Sequence, residues 1–172
     1  MKLTEILKQD AQGMYHATEG LIRMVDTLDW KPASGTNWMS TAQLLHHCTN
    51  ACGFPMNGFV NGEWGLPEGQ SIHDIPDDEM IPPLEKVPAV ASVDEALSLL
   101  SSDRELCMKV LSEVSDERLL SERSAAPWGG PEVTLFQHCN GMIWHLGQHK
   151  GQLFYYLKLQ GKDVNTMHLW GG

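Results

Sequence analysis

Apolar residues in this chain recur at spacings of three, four and seven over four long stretches, and no alternating strand pattern persists anywhere. That pattern dictates helices packed side by side. The first stretch, residues 3–29, puts Leu3, Ile6, Leu7, Met14, Leu21, Val25 and Leu28 on one stripe and stops short of Pro32. The second opens at Ser40 with Gln43 three residues on. In such a capping box the hydroxyl accepts from the third helical amide and the Gln side chain reaches back. It runs through AQLLHHCTNACGF, where Gly53 and Pro55 predict a kink or an irregular turn before MNGFVNGEW. The third has another such box, Ser92 with Glu95, and buries Val93, Ala96, Leu97, Leu100, Cys107, Val110, Leu111 and Val114. The fourth has a third box, Thr134 with Gln137, and runs to Gly161, a residue suited to ending a helix.

Between helices two and three, residues 63–91 hold Pro67, Pro76, Pro82, Pro83 and Pro88. A connection of this length reads as a crossover that lets helices two and three run parallel. The stretch SDERLLSERSAAPWGGPEV reads as irregular. So does the tail KDVNTMHLWGG, packed back by Leu169 and Trp170. The expected fold is all-α: one domain over residues 1–172, a four-helix bundle with a long crossover between helices two and three.

A net charge of −10 argues against nucleic acid or an anionic membrane as partner, since both need a basic face. No run of apolar residues is long enough for a transmembrane helix, and the charged N-terminal stretch is not a secretory signal. Cys48, Cys52, Cys107 and Cys139 fall inside predicted helices without a C-x-x-C spacing. They read as small buried residues in a reducing compartment, so a cytoplasmic location is expected.

The chemistry lies in HLGQHKGQ. His145 and His149 stand one turn apart on the shoulder and edge of the core face of helix four, beside Cys139, Met142, Leu146 and Leu153. Side chains so spaced are neighbours, and two imidazoles can share one metal ion at about 2.0–2.1 Å per bond. The pair alone is better explained as partly exposed side chains. A third histidine changes this: His47 shares one face of helix two with Leu44, Ala51 and Phe54, while His46 points roughly 100° away.

At these residues the chain resembles the DinB/YfiT-like four-helix bundle family along nearly its whole length. In WMSTAQLLHHC, Ser40 is similar to the family's cap and His47 to its first ligand. In HLGQHKGQL, His145 and His149 are similar to its other two, and YYLKLQGKDV is similar to its usual ending. Met39 is inserted between the usual Trp and Ser, Gln43 replaces a common acidic residue, and Gln148 replaces a common histidine. The resemblance implies a metalloenzyme with His47, His145 and His149 on a divalent transition metal, Zn or Ni, with Fe a third option. It also implies a homodimer. Some relatives are thiol-dependent transferases or isomerases that use low-molecular-weight thiols, and others are described only as metal-dependent hydrolases.

Three imidazoles and an open position are the pattern of a catalytic rather than a structural site. The leading expectation is an enzyme acting on a small-molecule substrate by activating a small thiol or water. Its cleft would be walled by helices two and four and by the crossover. The alternative is a non-catalytic bundle with a structural metal or a small-ligand site. Trp38, Trp64, Trp128, Trp144 and Tyr156 are candidates for lining the cleft, though each has the plainer reading of packing. Asp10, Asn50, Gln148 and Gln152 are candidates to orient the ligating rings. His138, one heptad before His145, is a candidate proton shuttle or equally a residue held near the helix start. His16, His73 and His168 fit no spacing that points to chemistry.

Overall fold

Ser40, Ser92 and Thr134 each stand at the start of a helix. The computed structural model describes residues 2–34, 37–76, 80 and 82–172. Helix α1 spans Leu3–Ile22, α2 Thr41–Cys48, α3 Gly53–Asn61, α4 Val93–Glu113, α5 Asp116–Ser121, α6 Leu135–Leu159 and α7 Thr166–Trp170. The capping boxes of Ser40 with Gln43 and of Thr134 with Gln137 are both reciprocal. That of Ser92 is half-made: its hydroxyl accepts from the Glu95 amide, but the Glu95 carboxylate turns one residue further back and accepts from the amide of Ala91. Helix α1 has no capping side chain of its own, and the Asp116 carboxylate accepts from the amides of Leu3 and Thr4 instead.

Helix α1 is shorter than its apolar stripe. It ends at Ile22, and the chain leaves helical conformation although Val25 stays buried and Leu28 still packs on the core. The carbonyls of Leu28 and Trp30 accept from the amides of Ala42 and Thr41 at 2.8 Å each. The segment thus satisfies amides at the start of α2 that a continued α1 would leave unpaired. The second long stretch breaks, as Gly53 and Pro55 require, into α2 and α3 around residues 49–52.

Paired contacts fix the helix directions. Tyr15 meets Asp103, and Leu3 meets Asp116, so α1 and α4 are antiparallel. Gly53 meets Asp103, Cys107 meets Met56, and Arg118 reaches the Val60 carbonyl, so α3 and α4 run in the same direction. Met39 meets Tyr156 and Ala51 meets His145, so helix two opposes α6. The connection between α3 and α4 is therefore a crossover, with short 3-10 turns at Ile72–Asp74 and Leu84–Lys86. Gln43 ties it down: its amide nitrogen donates to the carbonyls of Leu84 and Val87 while its oxygen completes the capping box. A carboxylate here could cap but could not donate.

Two segments expected to be irregular are not. Before α6, SDERLLSERSAAPWGGPEV forms α5 and a two-residue antiparallel ladder, β1 (Arg123–Ser124) with β2 (Val133–Thr134). So short a ladder carries no alternating signature. The tail forms α7, capped by Asn165 and pinned by a 2.7 Å bond from the Lys150 ammonium to the Leu169 carbonyl. Leu7, Leu44, Met56, Leu100, Leu146 and Leu153, from five helices, belong to one core. Burying each such side chain is worth about 1.5–3 kcal/mol. Among the described residues no helix is long and apolar enough to cross a membrane.

Candidate metal centre

The break in helix two sets up the site. A continuous helix would pair the Ala51 carbonyl with the amide of residue 55, and Pro55 has no amide hydrogen. That carbonyl accepts from Nδ1 of His145 at 3.0 Å. The start of α3 is held from the opposite side by Asp103 of α4. Its buried carboxylate accepts from the amides of Gly53 (2.9 Å) and Phe54 (2.8 Å) and from the Tyr15 hydroxyl (2.6 Å). Burial pushes the Asp103 carboxyl above its usual range, against the bonds from Tyr15, Gly53 and Phe54 that favour its ionised form.

His47, from the last turn of α2, reaches the two histidines of α6. Its Nε2 lies 3.3 Å from that of His145, which lies 2.9 Å from that of His149. One ligand atom from each ring falls within 4.8 Å of the others. The rings meet edge to face, with His47 and His149 centroids 4.1 Å apart.

Protons decide what this cluster can do. A neutral imidazole carries one N–H. A carbonyl can only accept, so His145 places its hydrogen on Nδ1 and presents a bare Nε2. His149 Nδ1 faces the Gln152 amide oxygen at 2.8 Å, so its hydrogen also lies away from the cluster. Two bare nitrogens 2.9 Å apart repel unless a cation lies between them or a ring takes a second proton. Burial opposes the second proton. It lowers the pKa of His47 to about 4, with the imidazoles of His149, His145 and His46 adding to the effect. Burial also lowers that of His149, against the bond to Gln152.

The donor set fits a divalent transition metal. An ion bound at about 2.0–2.1 Å sets tetrahedral donors roughly 3.3 Å apart and right-angle donors roughly 2.9 Å apart. The two nitrogen separations match these values.

A cavity of about 740 Å³ opens beside the cluster, within the usual range for small-molecule sites. It lies between α2, α3, α6 and the crossover. His47 and His145 reach it, and so do His46 of α2, Asn50 in the turn after it and Gln148 of α6. Trp64 and Trp128 line it. Trp38, Trp144 and Tyr156 are not among its lining residues: Trp144 is on the outside, and Tyr156 packs against Trp30 and Trp38 with its hydroxyl donating to the Met39 carbonyl.

Of the four residues considered for orienting the rings, only Gln152 is seen to hold one; Asn50 and Gln148 face the cavity, and Asp10 is exposed. His138 is buried outside the cluster, its ring stacked on Phe59 at 3.9 Å and its Nε2 bonded to the Ser124 carbonyl at 2.9 Å. His16 and His168 bond backbone near the C-terminus. Sequence reading missed Ala51, Tyr15 and Asp103. A signal for Asp103 existed: it falls at the buried register of α4, between Leu100 and Cys107, where a carboxylate needs partners. Pro55, four residues after Ala51, signalled the free carbonyl.

A protein-family model described as the DinB superfamily matches residues 7–153, which include all three histidines. No curated protein and no solved structure matches the chain.

Proposed function

The chain belongs to the DinB superfamily, and on that footing we propose that it is a metal-dependent enzyme whose His47, His145 and His149 hold a divalent transition metal through Nε2. Zn or Ni suits three imidazoles, with Fe a third option. The observation that carries the reading is the meeting of bare nitrogens 2.9 Å apart, with the tautomer of His145 fixed by a carbonyl. The Ala51 carbonyl and Gln152 keep the lone pairs of His145 and His149 turned inward, and α2 brings the third donor from across the bundle.

A bound ion supplies Lewis acidity, lowering the pKa of a protonated group at its open position. The group is a small thiol, giving S-transfer, or water, giving hydrolysis. No Asp, Glu, Lys or Arg lines the cavity among the described residues. In this reading the ion supplies the nucleophile's reactivity. The cavity at the open side favours this reading over a metal that only fastens α2 to α6. A cytoplasmic location, where four buried free thiols persist, and a homodimer belong to the same proposal.

Metal analysis of the untagged protein beside His47→Ala, His145→Ala and His149→Ala tests it. Near one metal per chain, lost in each variant with helix content retained, is expected. Small thiols with electrophilic acceptors, and hydrolysable esters and amides, are then screened for metal-dependent turnover. No metal after adding Zn or Ni would remove the basis of the proposal.

A further inference from the structure

The wall of the cavity is divided by chemistry. Its polar side chains besides the histidines of the cluster are His46 of α2, Asn50 in the turn just after it, and Gln148 of α6. The rest of the lining is aromatic, thioether, proline, aliphatic or glycine: Phe54 from α3 and Trp64 just beyond it, the crossover, Trp128 at the hairpin tip, and Gly141 and Met142 from α6 itself.

Two features show that the apolar part is built. The first is Trp64. A Cβ at Gly58 would lie 2.4–2.6 Å from three atoms of the Trp64 ring, so the glycine lets the indole lie flat on the backbone of α3. Trp64 then meets Phe59 at 5.1 Å and Trp128 at 6.4 Å, both edge to face. Trp128 sits at the tip of the β1–β2 connection, in a turn closed by Gly129 bonding back to Ala126. The second feature is Gly141, in the middle of α6 and one turn before His145. Glycine weakens a helix interior, and a Cβ here would meet nothing within 4 Å. No neighbour needs this residue to be small; it lines the cavity, and the room it leaves is cavity space beside His145.

We propose that this cavity seats an uncharged aromatic group of the substrate, held between the Trp64–Trp128 wall and the bare backbone of Gly141, with its reacting end toward the three histidines. For its chemistry the inference rests on the metal-enzyme reading, but binding of the aromatic group does not need the metal. In the metal-free protein an ionic group entering here would lose water and find no charged partner among the described residues. A flat neutral ring would replace water against the indoles and bring its polar end to Asn50, His46 and Gln148.

The test uses N-phenyl-1-naphthylamine, a neutral aromatic fluorophore that brightens on leaving water, with its ring-sulfonated analogue as the charged control. Both are titrated into metal-loaded and chelator-treated protein, and metal content is measured on the same samples. One neutral probe per chain is expected, with or without metal, and in the chelator-treated protein the sulfonate should bind more weakly. Gly141→Leu fills the seat and Trp128→Ala removes part of its wall; each should weaken probe binding about tenfold or more without changing metal content. If Gly141→Leu loses helix content by circular dichroism, Trp128→Ala, on an exposed turn, carries the comparison. Equal binding by wild type and the variant compared, tighter binding of the sulfonate to the chelator-treated protein, or no saturable binding overturns the proposal. Loss of the metal reading would show separately, as absence of metal from a protein that still binds the probe.

Discussion

The Nδ1–H of His145 donates to the carbonyl oxygen of Ala51, and Pro55, four residues further on, is the reason that carbonyl is free. A break in one helix thereby sets the tautomer of a histidine on another. Pro55→Ala supplies an amide hydrogen that competes for the carbonyl. Partners of this kind typically change metal affinity by about 10–100-fold. We expect a loss within that range, with thermal stability unchanged or raised, in calorimetric metal titrations beside melting curves. Unaltered affinity would mean that the Ala51 bond does not orient His145.

Acid should destabilise the metal-free protein over a defined window. Burial and neighbouring imidazoles lower the pKa of His47 to about 4, and burial lowers that of His149. Unfolded histidines take up protons near about pH 6.5. Between those values the unfolded state binds more protons, so stability rises with pH there. It is complete above about pH 6.5, falls as pH drops toward about 4, and loses nothing further from His47 below that. Melting curves in chelator should show this slope, and His47→Gln should flatten it. An equal slope in wild type and His47→Gln would count against a neutral, buried His47. Bound metal should be released by acid, since protonated imidazole cannot ligate.

Asp103 joins α1, α3 and α4 through Tyr15, Gly53 and Phe54. Asp103→Ala strands two backbone amides and a buried hydroxyl and should cost about 2–4 kcal/mol in urea unfolding. Tyr15→Phe removes one donor and should cost about 1–2 kcal/mol. A loss below that of Tyr15→Phe in the Asp103 variant would show that the carboxylate does not organise the start of α3.

Two glycines in helices should respond to alanine with opposite signs. At Gly141 the added methyl meets open space, so Gly141→Ala should stabilise by up to about 1 kcal/mol. At Gly58 it would lie 2.4 Å from the Trp64 ring, so Gly58→Ala should displace the indole and alter tryptophan fluorescence. Paired melts and emission spectra check both, and a stabilised Gly58→Ala with an unchanged spectrum would contradict the packing of Trp64 on α3.

Much of the bundle was legible because its signals are local. Ser40 with Gln43 and Thr134 with Gln137 mark helix starts within four residues, and Leu135, Ile143, Leu146 and Leu153 fix the buried face of α6 by spacing alone. Helix α1 was read too long because Val25 and Leu28 continue its stripe, whereas the true end depends on amides of Thr41 and Ala42 that only the fold brings near. The ladder of Arg123–Ser124 with Val133–Thr134 is too short for any period to show.

By itself the sequence determined the four long helical stretches, the long crossover, and His47 on an inward face with His145 and His149 at the shoulder and edge of the core face, since periodicity and caps act over a few residues. Only the tertiary structure decided that the three Nε2 atoms meet, that His47 and not His46 completes the group, and that Ala51 and Gln152 turn two lone pairs inward. It also decided that Asp103, unremarked in a helix of ordinary composition, holds the break that frees the Ala51 carbonyl. Apart from the bond of Gln152 to His149 three residues before it, these relations join residues roughly 50 to 100 positions apart, and helical spacing gives a direction on a helix but no distance between helices.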